Sequence, residues 1–165
     1  MKNRQEKIFE KTLQFYKEEN INNFYFYRPT DATEARKFNQ YVKPCDIWFF
    51  DTGFVAIECK FTASDKIANS KIKPHQIESM SHFSQHGCRS YLFLSMNLKP
   101  KRRINKSQNF ALSIDDYNHF RKHYRKSLIQ ENYQDWSGIP IDYIEELGIY
   151  NIDPILNKTH RLFEK

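Results

Sequence analysis

Apolar residues along the chain fall into two rhythms, and each predicts a different backbone. Between Gln5 and Glu19, Ile8, Phe9, Leu13, Phe15 and Tyr16 recur at roughly helical spacing with Lys and Glu between them, which predicts an amphipathic first helix. Phe24-Tyr25-Phe26-Tyr27-Arg28 is a short aromatic run closed by Pro29 and predicts the first strand. The polar stretch from Thr30 to Lys43 carries little pattern and reads as a surface loop or an irregular strand. Aromatic and β-branched residues then fill both arms around Asp51-Thr52-Gly53, which predicts a β-hairpin with Gly53 supplying the positive φ of the turn.

Beyond Lys60 the segment Thr62 to Lys71 is polar enough to be mobile. Pro74 suits the first position of a helix, where its missing N–H costs nothing, and Ile77, Met80 and Phe83 continue at helical spacing until Gly87. Ser90-Tyr91-Leu92-Phe93-Leu94-Ser95 is a continuous apolar run, as expected of a strand covered on both faces. Strand, helix, strand makes a right-handed crossover. It brings the start of the Pro74 helix to the end of the strand that carries Glu58 and Lys60, so His75 and Gln76 are expected nearby. A further strand is predicted from Asn109 to Ile114, and a basic helix from Ile114 to about Gln130. The remainder holds Trp136 and a short helix predicted from Pro140 to Leu147. The fold class is therefore α/β, with a core domain over 1–130 and a C-terminal extension over 131–165 that packs on the core, swaps into a partner or forms a dimer contact.

Charge and chemistry narrow the picture. A chain of 165 residues suits one compact domain, and 26 Lys plus Arg against 20 Asp plus Glu leave a net charge of +6, which favours a polyanionic partner. The three cysteines, Cys45, Cys59 and Cys88, have no CxxC spacing, so neither a disulfide framework nor a zinc site is predicted, and a reducing, cytoplasmic compartment is expected. No run approaches the ~20 apolar residues of a membrane span, and the N-terminus lacks the apolar core of a signal peptide.

The hairpin concentrates the chemistry. Side chains alternate along a strand, so Glu58 and Lys60 share a face while Cys59 points away, and register can bring Asp46 beside them. Two carboxylates a few Å apart on an apolar hairpin repel each other and resist desolvation, a penalty that a divalent cation removes. Mg²⁺ takes one or two carboxylates and fills its other positions with water and phosphate oxygens. Lys60 beside it would orient a bound water or offset charge on a phosphate, which implies phosphodiester hydrolysis. The competing reading is a salt bridge on a solvated strand face. Glu10 borders the apolar stripe of the first helix, where it either looks toward the hairpin or pairs with Lys7 or Gln14. Lys99 to Lys106, with Lys101, Arg102 and Arg103 at its centre, is the densest basic stretch and reads as a grip on a phosphate backbone or as a solvated loop.

Taken in order, Asn3-Arg4 with Phe9-Glu10, Phe26-Tyr27-Arg28 with Asp31, Cys45-Asp46, Glu58-Cys59-Lys60 and His75-Gln76-Ile77 resemble the PD-(D/E)XK nuclease superfamily, and within it the RecU-like, phage-type Holliday junction resolvases. The resemblance covers roughly residues 3–114. It implies a restriction-endonuclease-like core with a mixed central β-sheet flanked by helices, dependence on Mg²⁺ or Mn²⁺, a homodimer, and paired nicks across a four-way DNA junction in a bacterial or phage setting. By motif position it makes Asp46 and Glu58 metal ligands, Lys60 the catalytic lysine, Glu10 the helical carboxylate and further ligand, and Gln76 a supporting site residue. Arg4, Arg28, Lys73, His75, Lys101, Arg102 and Arg103 are the expected DNA contacts. Two departures stand out. Gln5 and Glu6 occupy the place where family members often carry a glycine ahead of the helical Glu, so Glu6 competes with Glu10 for that role. The segment between Arg28 and Asp46 is also short for the protruding stalk of bacterial members. A restriction or repair nuclease of the same fold, or a silent DNA-binding module, are the alternative functions.

The basic stretch yields a direct test. Neutralising Lys101, Arg102 and Arg103 together is expected to weaken DNA binding and to flatten its salt dependence, by a slope change of about one per lost phosphate contact, in anisotropy titrations at several salt concentrations.

Overall fold

The structure, a computed structural model, describes residues 4–19, 24–28, 44–50, 52–97, 107–124, 127–129, 132–156 and 162–163. Helix α1 spans Arg4–Glu19 and buries Phe9, Thr12, Leu13 and Tyr16, the i, i+3, i+4 and i+7 positions of one stripe. Strands β1 (Tyr25–Tyr27), β2 (Ile47–Phe50) and β3 (Phe54–Thr62) follow, with β2 and β3 forming the expected antiparallel hairpin. The positive φ of its turn falls on Thr52 (47°), where the sequence reading placed it on Gly53. Helix α2 (Pro74–Gln85) crosses over to β5 (Arg89–Asn97), which runs parallel to β3, and Gly87 leaves the helix with φ 83° as a C-terminal glycine does. Strand β6 (Ser107–Ser113) returns antiparallel to β5, and α3 (Ile114–Tyr124) starts behind Ser113, whose hydroxyl accepts the Asp116 N–H at 3.0 Å.

Three expectations fail where short elements depend on distant partners. The supposedly mobile Thr62–Lys71 segment contains β4 (Lys66–Ile67) and a 3-10 turn at Asn69–Lys71, with Ile67 fully buried. Its partner is β7 (Leu128–Ile129), so α3 stops well short of Gln130. The helix predicted from Pro140 to Leu147 is instead β8 (Ile139–Ile141) and β9 (Tyr143–Ile144), the latter paired with β10 (Ile149–Tyr150) across a turn at Gly148, φ 64°. Strand β8 pairs with β6 at the sheet edge, the position where the missing N–H of Pro140 can be tolerated.

The result is a six-stranded mixed sheet, ordered β1-β2-β3-β5-β6-β8, with helices on both faces. This is the mixed central sheet flanked by helices that the sequence predicts. On one face α1 packs with Ile47, Phe49, Val55, Ile57, Cys59, Phe93, Tyr150 and Ile152. On the other, α2 and α3 cover Ala56, Leu92, Leu94, Phe110 and Leu112 together with Trp136. Residues 132–156 thus contribute to both cores. The Thr30–Lys43 segment with Asp31, and the basic stretch Lys101, Arg102 and Arg103 between β5 and β6, lie outside the described residues. Among those described, no helix is long and apolar enough to cross a membrane.

The α1 layer is fastened by buried polar contacts. Thr12 Oγ1 accepts the Tyr150 N–H at 2.9 Å, one turn on the Tyr16 hydroxyl accepts the Ile152 N–H at 3.2 Å, and that hydroxyl donates to the fully buried Asp153 carboxylate at 2.7 Å. Asp153 also accepts the Leu162 N–H at 2.9 Å, tying the last described residues to the helix. Burial first, and the Asp153 carboxylate second, push the Tyr16 hydroxyl far above its ordinary range, so it stays a donor. Tyr16→Phe leaves the Ile152 N–H without its hydroxyl acceptor and takes one donor from buried Asp153, and is expected to cost about 2–3 kcal/mol in denaturant unfolding, with no change in the m-value.

Candidate active site

The site is built where β3 outruns β2. β2 begins at Ile47, opposite Ile57, whereas β3 continues to Thr62. The Ile57 carbonyl also accepts the Asp46 N–H at 3.0 Å, so the ladder slips by one residue as at a β-bulge. Cys59 therefore lacks a main-chain partner on β2, and the Asp46 carboxylate takes its place, accepting the Cys59 N–H through Oδ2 at 2.9 Å. That bond anchors Asp46 at the residue between Glu58 and Lys60.

Glu58 and Lys60 lie on the α2 face of β3, with the Glu58 side chain only 2% exposed. Its Oε1 accepts from Lys60 Nζ at 2.7 Å and from Gln76 Nε2 at 2.6 Å. Gln76 Oε1 in turn accepts from Lys60 Nζ at 3.1 Å and from the Lys73 N–H at 3.1 Å. Gln76 is the third residue of α2, and reaching back to the residue that precedes the helix is one half of a capping box. One amide thus caps α2 and joins the helix to the buried carboxylate. His75 sits on the first turn of α2, and exposed Lys73, the residue before the helix, meets Gln76 through its main-chain N–H.

The two nearest thiols are inert. Burial pushes Cys59 well up, and the negative charges of Asp46 and then Glu58 push it the same way; burial likewise raises Cys45. Both are free, buried and neutral, as their apolar neighbours predict.

The carboxylates of α1 have another partner. Arg28, just past β1, pairs with Glu10 through Nη1 and with Glu6 through Nη2 at 2.8 Å. Burial alone would lower the Arg28 pKa, but the two carboxylates outweigh it and raise it, so the guanidinium is permanently charged. Glu6 and Glu10 stand four apart on one helix face, and this spacing is the signal that could have revealed a shared guanidinium. Register aligns Tyr27 with Trp48 and Ala56, so Arg28, one residue on, lies level with Ile47 and Ile57, which places the clasp on the α1 side of the same sheet end. Arg4 stands elsewhere, lining a cavity of about 700 Å³ with Gln5, Asn109, Asp142, Tyr143 and Tyr150.

The structure therefore brings together Glu58, Lys60 and Gln76, with Asp46 anchored one residue away. It gives Glu10 and Arg28 to each other, and it leaves Arg4 apart. Among the described residues, no three His, Cys, Asp or Glu side chains converge in the manner of a complete protein cage for a metal ion. Asp46 and Glu58 are nonetheless hard oxygen donors of the kind and number that Mg²⁺ or Mn²⁺ accepts when water and substrate fill the other positions.

No family model matches the chain, and no curated protein matches it. Among solved structures it is similar to that of Archaeoglobus fulgidus Hjc, a Holliday junction resolvase from an archaeal hyperthermophile, at 17% identity and a TM-score of 0.47, over 80% of this chain and 93% of that one.

Because Glu58 is buried, its cation matters to folding as well as to chemistry. Lys60→Met is expected to destabilise the protein by about 3–5 kcal/mol, and adding Glu58→Gln to it should recover most of that loss, as read from chemical denaturation of the two variants.

Proposed function

We propose that this chain is a PD-(D/E)XK-type, metal-dependent DNA endonuclease that cuts branched DNA, four-way junctions included, as a homodimer. The observation that carries the reading is the buried Glu58 carboxylate held between Lys60 Nζ and Gln76 Nε2, with Asp46 anchored on the intervening Cys59 N–H. A carboxylate with this burial is costly to keep, and an apolar residue would serve packing better. The order of elements adds support, since a first helix, a hairpin, a crossover helix and a parallel strand are what a restriction-endonuclease-like core requires.

In this reading Asp46 and Glu58 hold the Mg²⁺ or Mn²⁺ ion, and Gln76 keeps the Glu58 carboxylate oriented. When bound, the ion supplies Lewis acidity toward water and the scissile phosphate. Lys60 contributes a charged amine at that carboxylate, placed to steady an attacking water or to offset negative charge growing on the phosphate oxygens. Gln76 brings the N-terminus of α2 to the same region, where the positive end of the helix dipole favours a bound phosphate. Net charge supplies the attraction for DNA, with Lys73, His75 and the basic 101–103 stretch as the expected backbone contacts.

A second reading, a DNA-binding module of the same fold that does not cut, is favoured by one observation: Glu6 and Glu10, the two α1 carboxylates considered for the site, are both engaged by Arg28. Nicking of a synthetic four-way junction and of linear duplex, each with and without Mg²⁺, separates the readings. The expected outcome is Mg²⁺-dependent cutting of the junction in preference to the duplex. Asp46→Asn or Glu58→Gln is expected to lower cutting at least about a hundredfold while leaving DNA affinity within about threefold. Equal cutting of both substrates would remove the junction preference, and binding without cutting would favour the silent module.

A further inference from the structure

The hairpin and β1 carry a second surface on the α2 side of the sheet, and the site does not account for it. Register puts Tyr25, Phe50 and Phe54 in one row across three strands, and Tyr27, Trp48 and Ala56 in the next. Strand alternation places Glu58 two residues beyond Ala56 on the same face, so the rows lead toward the site in steps of about 7 Å. Ring contacts confirm the shared face: Trp48 lies 5.9 Å from Tyr27, 5.6 Å from Phe54 and 6.2 Å from Phe83 of α2. Trp48 and Phe83 are partly covered, but Tyr25 is 62% exposed, Tyr27 48%, Phe50 47% and Phe54 38%.

Four exposed aromatic side chains in adjoining rows of a sheet are costly in water, and such patches mark interaction sites. Two occupants are reasonable, a second copy of the chain or the bases of a nucleic acid. Taking ~200 Å² for each side chain, the exposed portions offer roughly 400 Å², about half of the ~800 Å² that each partner of a stable dimer buries. Charge points the same way, because a net charge of +6 attracts a polyanion. Rings on a flat sheet face match the stacking platforms used for single-stranded nucleic acid, and the tyrosine hydroxyls can remain in water while their ring faces are covered.

We infer that the Tyr25, Tyr27, Phe50 and Phe54 face stacks unpaired bases of the DNA substrate next to the phosphate presented to Asp46, Glu58 and Lys60. This rests on the nuclease reading and deepens it. Selection of branched DNA would come from bases that open or lose a stacking neighbour at the branch point, since the interior of a continuous duplex keeps every base face covered by stacking.

The test compares a single-stranded oligonucleotide with a blunt duplex of the same length, both fluorescently labelled, in EDTA so that cutting does not interfere. Tyr25→Ser/Tyr27→Ser is expected to bind the single strand at least about tenfold more weakly and the duplex within about twofold of wild type. Tyr25→Phe/Tyr27→Phe, which keeps the rings, should restore the affinity. A 2-aminopurine base in the single strand should be quenched by wild type, which checks stacking without relying on a variant. Loss of neither binding nor quenching in the serine variant, or equal loss on both probes, overturns the inference while leaving the nuclease reading intact. A serine variant that binds DNA normally but loses self-association in sedimentation gives the face to a second copy and likewise overturns it. Wild type that binds a four-way junction but not the single strand overturns this inference and leaves the nuclease reading, whereas wild type that binds no DNA at all, the junction included, removes both.

Discussion

The arrangement around Glu58 is the constraint on which the site depends. A carboxylate 2% exposed in a sheet that is otherwise apolar needs compensation, and it receives a cation from two residues along its own strand and an amide from the crossover helix. That amide is also the cap of α2. Gln76 cannot leave Glu58 without freeing the Lys73 N–H, and the helix cannot shift without abandoning the carboxylate. Strand and helix are therefore held in one relative position by a single side chain. The parallel β3–β5 pairing beneath them, which runs from Val55 opposite Arg89 to Thr62 opposite Met96, supplies the rigid base.

The opposite face follows a similar logic with different chemistry. There the helix is α1, and its Thr12 and Tyr16 hydroxyls take up backbone N–H groups of β10 and of the chain just after it, with buried Asp153 closing the network. The C-terminal segment consequently serves as structural cover for α1 in addition to supplying the edge strand β8. Both faces thus fix a helix to the sheet through a few buried polar contacts set within apolar packing, where each such bond is strengthened by its dry surroundings and costly to break.

Two charged clusters sit near one end of the sheet and differ in character. Glu58, Lys60 and Gln76 form an asymmetric set with one buried acid. Glu6, Glu10 and Arg28 form a partly buried clasp with two acids on one guanidinium. In the second cluster the acids are compensated by a neighbouring strand end, which gives it a structural role of holding α1 against β1. In the first, a charged amine stands beside a buried carboxylate at the N-terminus of a helix, a combination suited to acting on an anionic substrate.

Much of this was legible in residue order, and the division has a physical basis. The stripe of α1, the paired arms of β2 and β3, the Pro74 start and Gly87 end of α2, and the apolar run of β5 all follow from local rules of period, capping and turn chemistry, so the sequence by itself determined them. It also determined that Glu58 and Lys60 share a face, because alternation along a strand is local. Tertiary structure alone decided the rest. Lys66–Ile67 and Leu128–Ile129 become strands only through each other, and Pro140 becomes part of a strand only because β6 offers an edge. Asp46 reaches Cys59 because the ladder slips at Ile57, and Gln76, which the order of elements brings only near Glu58, bonds its carboxylate because β3 and the start of α2 are packed against each other. Arg28 claims Glu10 because β1 lies beside α1. In each case the deciding energy is a contact between residues distant in the chain, which no local pattern can record.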